Sequence, residues 1–157
     1  MLDQEGYLAF FERAKRDGKL VLLAPKRVLC ADPAEPVAKS AADTKARTPV
    51  SMHGGEPLRL NSGIAGKSGR RKICIVDWDG DGKLDILLNS ANANLLRQTA
   101  SADGKWFFQD MGLLVEQNIE GHDVSPTVVD FNGDSIPDVL GGAEDGRFYH
   151  LKNSRPK

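Results

Sequence analysis

The chain has 157 residues, with 21 basic and 22 acidic side chains and a formal net charge of −1, and its length is sufficient for one domain core. The absence of a basic excess argues against nucleic-acid binding, and no apolar stretch is long enough to span a membrane. The N-terminal residues 1–18 lack the basic and then apolar order of a secretory signal.

Residues 1–30 are predicted to hold two short strands. Residues 2–8 (LDQEGYL) match residues 142–148 (GAEDGRF), and residues 18–21 (GKLV) match residues 104–107 (GKWF). Each pair has a Gly at the same place, which favours a tight turn beside a strand. Residues 1–30 are therefore expected to be the third and fourth strands of a repeating unit.

The next segment, residues 31–60, breaks the repeat. Residues 31–49 are rich in Ala, Pro and charges of alternating sign, without an apolar period. Such a composition cannot bury enough surface to offset the entropy of ordering. We predict a flexible insertion over residues 31–60.

Residues 61–116 contain a loop dense in carboxylates, DWDGDGKLD at residues 77–85, between two short apolar runs that read as strands. Side-chain oxygens occur at loop positions 1, 3, 5 and 9. So many carboxylates would repel one another without a cation, and a hard ion that takes six to eight oxygens is calcium. The predicted ligands are Asp77, Asp79, Asp81, the backbone carbonyl of Lys83, and Asp85.

Residues 117–157 repeat the pattern in DFNGDSIPD, residues 130–138, at a spacing of 53 residues. This loop has one carboxylate fewer, and Ser135 stands where the first loop has Gly82, so a positive φ there would cost about 1 kcal/mol. We therefore expect two calcium sites, the one at 77–85 being the stronger. The predicted ligands of the second are Asp130, Asn132, Asp134, the backbone carbonyl of Ile136, and Asp138.

An EF-hand would also have oxygens at loop positions 1, 3 and 5, but it requires a bidentate Glu at position 12 and flanking helices. Position 12 is Leu88 in the first loop and Gly141 in the second. The flanking runs are β-branched, so the loops are predicted to join adjacent antiparallel strands.

The repeat extends beyond the loops, because the 53-residue shift also lays residues 94–96 on residues 147–149 as a third strand. Four short strands in about 50 residues are typical of a β-propeller blade. The predicted fold is all-β, an incomplete β-propeller of about two and a half four-stranded antiparallel blades, with the loops between first and second strands. Closed propellers have about 4–8 blades, so we expect part of a longer propeller or association through exposed blade edges.

The two loops and their flanking strands carry a family resemblance. The segments VDWDGDGKLDILL and VDFNGDSIPDVLGG, with EDGRFYHLKN after the second, resemble FG-GAP or VCBS repeats over residues 1–23 and about 73–153. The resemblance implies a calcium-binding propeller, an extracellular, periplasmic or cell-surface location, and the ligand set named above.

The resemblance favours a structural or partner-binding module without catalysis of its own. Its ligand, a protein or a polysaccharide, is not identified by the sequence. One alternative is a fragment of a secreted polysaccharide-active enzyme, similar to rhamnogalacturonan lyases. Another is a cell-surface adhesion module that binds a protein partner.

Other candidate sites are weaker. Residues 61–68 (NSGIAGKS) resemble the end of a phosphate-binding loop but lack its first Gly, and the pair His122–Asp123 has no nucleophile beside it. A cluster of polar residues between two predicted strands would either line a ligand surface or form turns; it comprises Asn89, Ser90, Asn92 and Asn94. Aromatic residues are expected to pack in the core; they are Trp78, Trp106, Phe107, Phe131, Phe148 and Tyr149.

Overall fold

In a computed structural model the chain is described over residues 1–3, 5–30, 54–60, 71–90, 92–116, 119 and 125–155. Within these residues the secondary structure consists of β-strands without a helix, so the predicted all-β class is confirmed. The strands form several sheets, and none of them closes on itself. The strands are β1 (Ala9–Phe10), β2 (Arg13–Arg16), β3 (Lys19–Leu22), β4 (Lys26–Arg27), β5 (Leu29–Cys30), β6 (Ile73–Val76), β7 (Asp85–Leu88), β8 (Asn94–Ala102), β9 (Lys105–Leu113), β10 (Thr127–Val129), β11 (Asp138–Gly142) and β12 (Phe148–Leu151).

The described residues divide into two compact units. The first holds residues within 1–30 and 54–60 together with residues 99–109, and the second holds residues 71–98 and those from 110 onward. Strands β8 and β9 form a hairpin that runs through both units. Within the described residues no helix has the length and apolar character needed to cross a membrane.

In the first unit, β1 pairs with β4 and β2 pairs with β3, both antiparallel, while β5 pairs in parallel with β9. The turn of the β2–β3 hairpin has positive φ at Asp17 (49°) and Gly18 (76°). The β8–β9 turn repeats this at Asp103 (52°) and Gly104 (69°). An Asp-Gly pair suits such two-residue turns, because both central positions need positive φ. The predicted match between the two Gly-Lys segments is therefore confirmed at their turns.

The predicted match between residues 2–8 and residues 142–148 is also confirmed at its turn. The N–H of Asp3 donates to the carbonyl of Tyr7 at 2.9 Å, and the N–H of Ala143 donates to the carbonyl of Arg147 at 3.0 Å. Each turn includes a Gly with positive φ, Gly6 at 86° and Gly146 at 80°. The first residues of the chain thus fold locally as the connection before β12 does.

Residues 54–60 differ from the expected flexible insertion, since they pack in the first unit. The side chains of Leu58 and Leu60 are fully buried. The N–H of Leu58 donates to the carbonyl of Val28 at 2.8 Å, and the carbonyl of Leu58 accepts from the N–H of Leu8 at 2.9 Å. Two leucines alternating with Arg59 are a strand-like pattern, and hydrophobic burial outweighs the loop-like character of the residues around them. The rest of the predicted insertion, residues 31–53, lies outside the described residues.

In the second unit, β6, β7 and β8 are successive antiparallel neighbours, and β9 follows β8 in the hairpin. Strands β10, β11 and β12 form a separate antiparallel sheet in the same order. In each case a carboxylate-rich loop joins the first strand to the second, as the sequence predicts. The predicted division into blades at residues 1–30, 31–60, 61–116 and 117–157 stays a prediction.

The third strand of the two repeats is offset by two residues from the simple shift. Leu96 lies opposite Ile86 in one sheet, and Leu151 lies opposite Val139 in the other. Ile86 and Val139 are 53 residues apart, whereas Leu96 and Leu151 are 55 apart, because the connection before β12 is longer. The sequence alignment of residues 94–96 with residues 147–149 is therefore wrong by two positions.

The core of the second unit is aliphatic, and its fully buried residues include Leu87, Leu96 and Val139. The expectation that the aromatic residues pack inside is wrong for Phe131 and Phe148, which are 61% and 87% exposed. Phe131 lies in the second loop, where its ring contacts that of His150 with centroids 4.8 Å apart.

Candidate metal centre

The first loop turns tightly between β6 and β7. Gly80 and Gly82 both have positive φ, 83° and 82°, a conformation that glycine adopts without steric cost. Asp77 closes the loop, since its Oδ1 accepts from the N–H of Gly80 at 2.7 Å and its Oδ2 accepts from the N–H of Gly82 at 3.1 Å. Backbone and side chain together hold the carboxylates on the inner side of the turn.

Three of the predicted ligands come together. Carboxylate oxygens of Asp77, Asp79 and Asp85 lie within 4.8 Å of one another. Oδ2 of Asp79 is buried and accepts no hydrogen bond within the described part of the chain. Its cationic neighbour is Arg97, whose Nε lies 2.5 Å away without hydrogen-bond geometry. The three converging carboxylates are oxygen ligands of the kind that calcium takes, so the donor set fits a metal ion there.

Asp85, at the ninth position, is fully buried. Its Oδ1 accepts from the N–H of Gln98 at 2.8 Å and its Oδ2 accepts from the N–H of Trp78 at 3.0 Å. Burial raises the pKa of this carboxyl above its ordinary value; the two hydrogen bonds oppose the shift, and the neighbouring charges of Asp79 and Asp81 add to it. A bound cation would favour the ionised form and offset that penalty.

Asp81 is not among these three carboxylates, and the predicted role of the Lys83 backbone carbonyl stays a prediction. Nζ of Lys83 pairs with Oδ2 of Asp81 at 2.5 Å, and the N–H of Lys83 donates to Oδ1 at 2.8 Å. The hydrogen bond from the Lys83 side chain is the main reason that the pKa of Asp81 is lowered. The structure thus places Asp81 at the mouth of the loop, in contact with cationic side chains.

The second loop repeats the hydrogen bonds of the first. Oδ2 of Asp130 accepts from the N–H of Ser135 at 2.9 Å, as Asp77 accepts from Gly82. Asn132 and Asp134 each accept from the N–H two residues later, at 2.9 and 3.0 Å. The expected positive φ at Ser135 is confirmed at 66°.

The ninth position differs between the loops. Asp138 is fully buried like Asp85, but its Oδ2 lies 2.8 Å from Nε2 of His150 and accepts from Nδ2 of Asn132 at 3.2 Å. Its Oδ1 accepts from the N–H of Asn153 at 2.9 Å. Burial alone would raise the pKa of Asp138, but the hydrogen bonds from Asn153 and His150 outweigh it and the pKa is lowered. Within the described residues, the first loop alone brings three acidic ligand atoms together.

A short segment after β12 connects the two loops. Asn153 binds Asp138 through its N–H, and its Nδ2 donates to the carbonyl of Trp78 at 2.9 Å. Nη1 of Arg155 donates to the carbonyl of Asp77 at 2.9 Å. A local sequence motif cannot predict the contacts with Trp78 and Asp77, because they join residues that are more than 70 positions apart in the chain.

Residues 77–141, which include both loops and strands β7 to β9, match the family model described as an FG-GAP-like repeat. This segment is similar to the FG-GAP-like repeats. The family predicted from the sequence is therefore confirmed over these residues. Neither the curated proteins nor the solved structures include a match to the chain.

Within the FG-GAP-like segment, the polar cluster of residues 89–94 has a structural role. Oδ1 of Asn89 accepts from the N–H of Lys72 at 2.9 Å, and Nδ2 of buried Asn92 donates to the carbonyl of Val115 at 2.8 Å. These bonds tie the connection between β7 and β8 to its neighbours. The candidate phosphate-binding residues 61–68 and the pair His122–Asp123 lie outside the described residues.

The backbone of the second FG-GAP loop predicts a stabilising substitution. Ser135→Gly is expected to raise the free energy of unfolding by about 1 kcal/mol, because it relieves a left-handed conformation. The reverse exchange, Gly82→Ser, is expected to lower it by a similar amount, since the space around Gly82 is open and the backbone alone is strained. Urea unfolding of both variants in EDTA measures the two effects, and changes of equal sign would contradict the prediction.

Proposed function

We propose that the chain is a calcium-binding β-propeller repeat module with a structural or partner-binding role and no catalysis of its own. The convergence of carboxylate oxygens of Asp77, Asp79 and Asp85 within 4.8 Å of one another carries the proposal. The FG-GAP-like match supports it, and so does the consecutive order of β6 to β9, which lie in a five-stranded sheet with β5 as the parallel edge strand. About two and a half such blades would lie in the chain, and closed propellers have about 4–8.

Asp77, Asp79 and Asp85 would hold the ion in the first loop, with Asp81 and the carbonyl of Lys83 completing the coordination. Calcium would neutralise the carboxylates and fasten β6 to β7. In the second loop the corresponding set is Asp130, Asn132, Asp134, the carbonyl of Ile136, and Asp138.

The proposed location is extracellular, periplasmic or at the cell surface, where calcium is abundant and modules bind it with dissociation constants on the order of 10⁻⁴–10⁻³ M. The proposed partner is a protein or a polysaccharide. The lyase alternative needs a general base and a substrate groove and stays a prediction.

Calorimetric titration of the metal-stripped chain with calcium tests the proposal. We expect two sites of unequal affinity, and a gain in unfolding free energy of about 2.7 kcal/mol per site at a hundredfold excess over the dissociation constant. Asp79→Asn should remove most of the gain at the first site. Without calcium its effect should be small, because an amide oxygen can still accept the N–H of Asp81, and the relief of carboxylate repulsion offsets the lost charge pair with Arg97.

Asp103→Asn is the matched control. Asp103 lies in an exposed turn outside both loops, with a positive φ that Asn tolerates equally. Its calcium response should equal that of the wild type. Absence of calcium binding by the wild-type chain would refute the proposal.

A further inference from the structure

A basic side chain from the third strand lies against the carboxylates of the first loop. Nε of Arg97, in β8, is 2.5 Å from Oδ2 of Asp79, and Nη2 is 3.9 Å from Oδ2 of Asp81. Among the described residues, neither Nε of Arg97 nor Oδ2 of Asp79 makes a well-directed hydrogen bond. The contact is a close charge pair without hydrogen-bond geometry, so a metal ion can replace it without the loss of a directed bond.

The second repeat has the same arrangement. Arg97 and Lys152 each directly follow equivalent leucines of the third strand, Leu96 and Leu151. Nζ of Lys152 is 3.7 Å from Oδ2 of Asp134, which occupies the loop position of Asp81. The next residue confirms the equivalence, because the N–H of Gln98 and the N–H of Asn153 each donate to the ninth-position Asp of their own loop.

This correspondence is hidden in the sequence. A shift of 53 residues aligns Arg97 with His150, and only the 55-residue offset of the third strand aligns it with Lys152. Two repeats therefore place a cation at the same structural position against the same face of the loop, although the residue types differ.

We propose that Arg97 and Lys152 are built-in counter-cations that set the calcium affinity of their loops. Each reduces carboxylate repulsion while the loop is metal-free, and each opposes a divalent ion when it arrives. Both effects weaken calcium binding, so the cation raises the calcium concentration that the loop needs. The inference rests on the proposed calcium function and adds to it the residues that tune it.

The two counter-cations differ in strength. Arg97 is half-buried and its charged atoms approach two carboxylates, whereas the Lys152 side chain is 60% exposed and lies farther from one. Solvent screens an exposed pair more strongly. The effect of removing the cation should therefore be larger in the first loop.

Calcium titration of the full chain with matched variants tests the inference. We expect Arg97→Gln to tighten the first site about fivefold and leave the second unchanged, and Lys152→Gln to tighten the second about twofold. Arg97→Lys, which keeps the charge on a different head group, should fall between the wild type and Arg97→Gln. Arg147→Gln removes the same charge outside both loops, where Arg147 lies near Asp145 and Tyr149, and should leave both affinities unchanged.

Thermal unfolding gives a second readout. Metal-free Arg97→Gln should melt below the wild type, and saturating calcium should close the gap. If the wild type binds no calcium, the proposed function fails first. If the wild type binds calcium but Arg97→Gln binds it no more tightly, or if Arg147→Gln tightens it equally, the counter-cation inference alone is overturned.

Discussion

Leu58→Ala is expected to lower the free energy of unfolding by about 2–5 kcal/mol. Leu58 is fully buried, and hydrogen bonds to Val28 and Leu8 hold its backbone in place. The surrounding residues therefore have little freedom to move into the space that the shorter side chain leaves. The loss combines the transfer free energy of the missing carbons with the cost of the cavity they leave. Urea unfolding in the presence of EDTA measures it without a contribution from calcium.

The same exchange at Leu20 is the control. Leu20 is 66% exposed on the β2–β3 hairpin, so Leu20→Ala should change the free energy of unfolding by less than about 0.5 kcal/mol. An equally small effect at Leu58 would show that residues 54–60 are an insertion after all, and would contradict their place in the core.

Asp85→Ala is expected to destabilise the chain by about 2–4 kcal/mol even without calcium. The substitution leaves the buried N–H groups of Trp78 and Gln98 without an acceptor, and a hydrogen bond to a charged group contributes about 1.5–3 kcal/mol. Removal of the carboxylate also removes the cost of burying its charge, which is the cause of its raised pKa. The net destabilisation is therefore smaller than the loss of two hydrogen bonds alone. Calcium should then fail to restore stability at the first site.

Asp85→Asn separates the two contributions. Its amide oxygen still accepts one of the two N–H groups, so the metal-free loss should be about half that of Asp85→Ala, while calcium binding at the first loop should be weakened in both. Denaturant unfolding of the pair, with EDTA and with saturating calcium, gives the four free energies. If Asp85→Ala matched the wild type in EDTA, the backbone bonds to this carboxylate would have no role in stability.

The all-β class and the loop positions follow from local chemistry, which a sequence displays. Asp-Gly turns such as those at Asp17 and Asp103 need positive φ, and the strained φ of Ser135 could be anticipated from the Gly at the same place in the first loop. The core position of Leu58 was less visible, because two alternating leucines are a weak signal beside a long polar segment.

The convergence of three loop carboxylates was predictable, and the residues that surround them were not. The spacing of Asp77, Asp79 and Asp85 indicated that they converge, and in the structure their oxygens do. The contacts of Arg97, Lys152 and Asn153 depend on the register of β8 and β12, which a two-residue difference in loop length changes. Register is fixed by tertiary pairing, and a one-dimensional comparison of repeats misses it.

The link made by Asn153 bears on how such repeats unfold. One asparagine holds the ninth-position Asp of the second loop and the backbone beside the first. In repeat proteins the stability of the array is approximately the sum of the stability of each repeat and the coupling between neighbouring repeats. Asn153 belongs to the second repeat and is bonded to the first, so it contributes to that coupling. Loss of order in one loop would then break a contact that holds the other, so Asn153 couples the unfolding of the two loops.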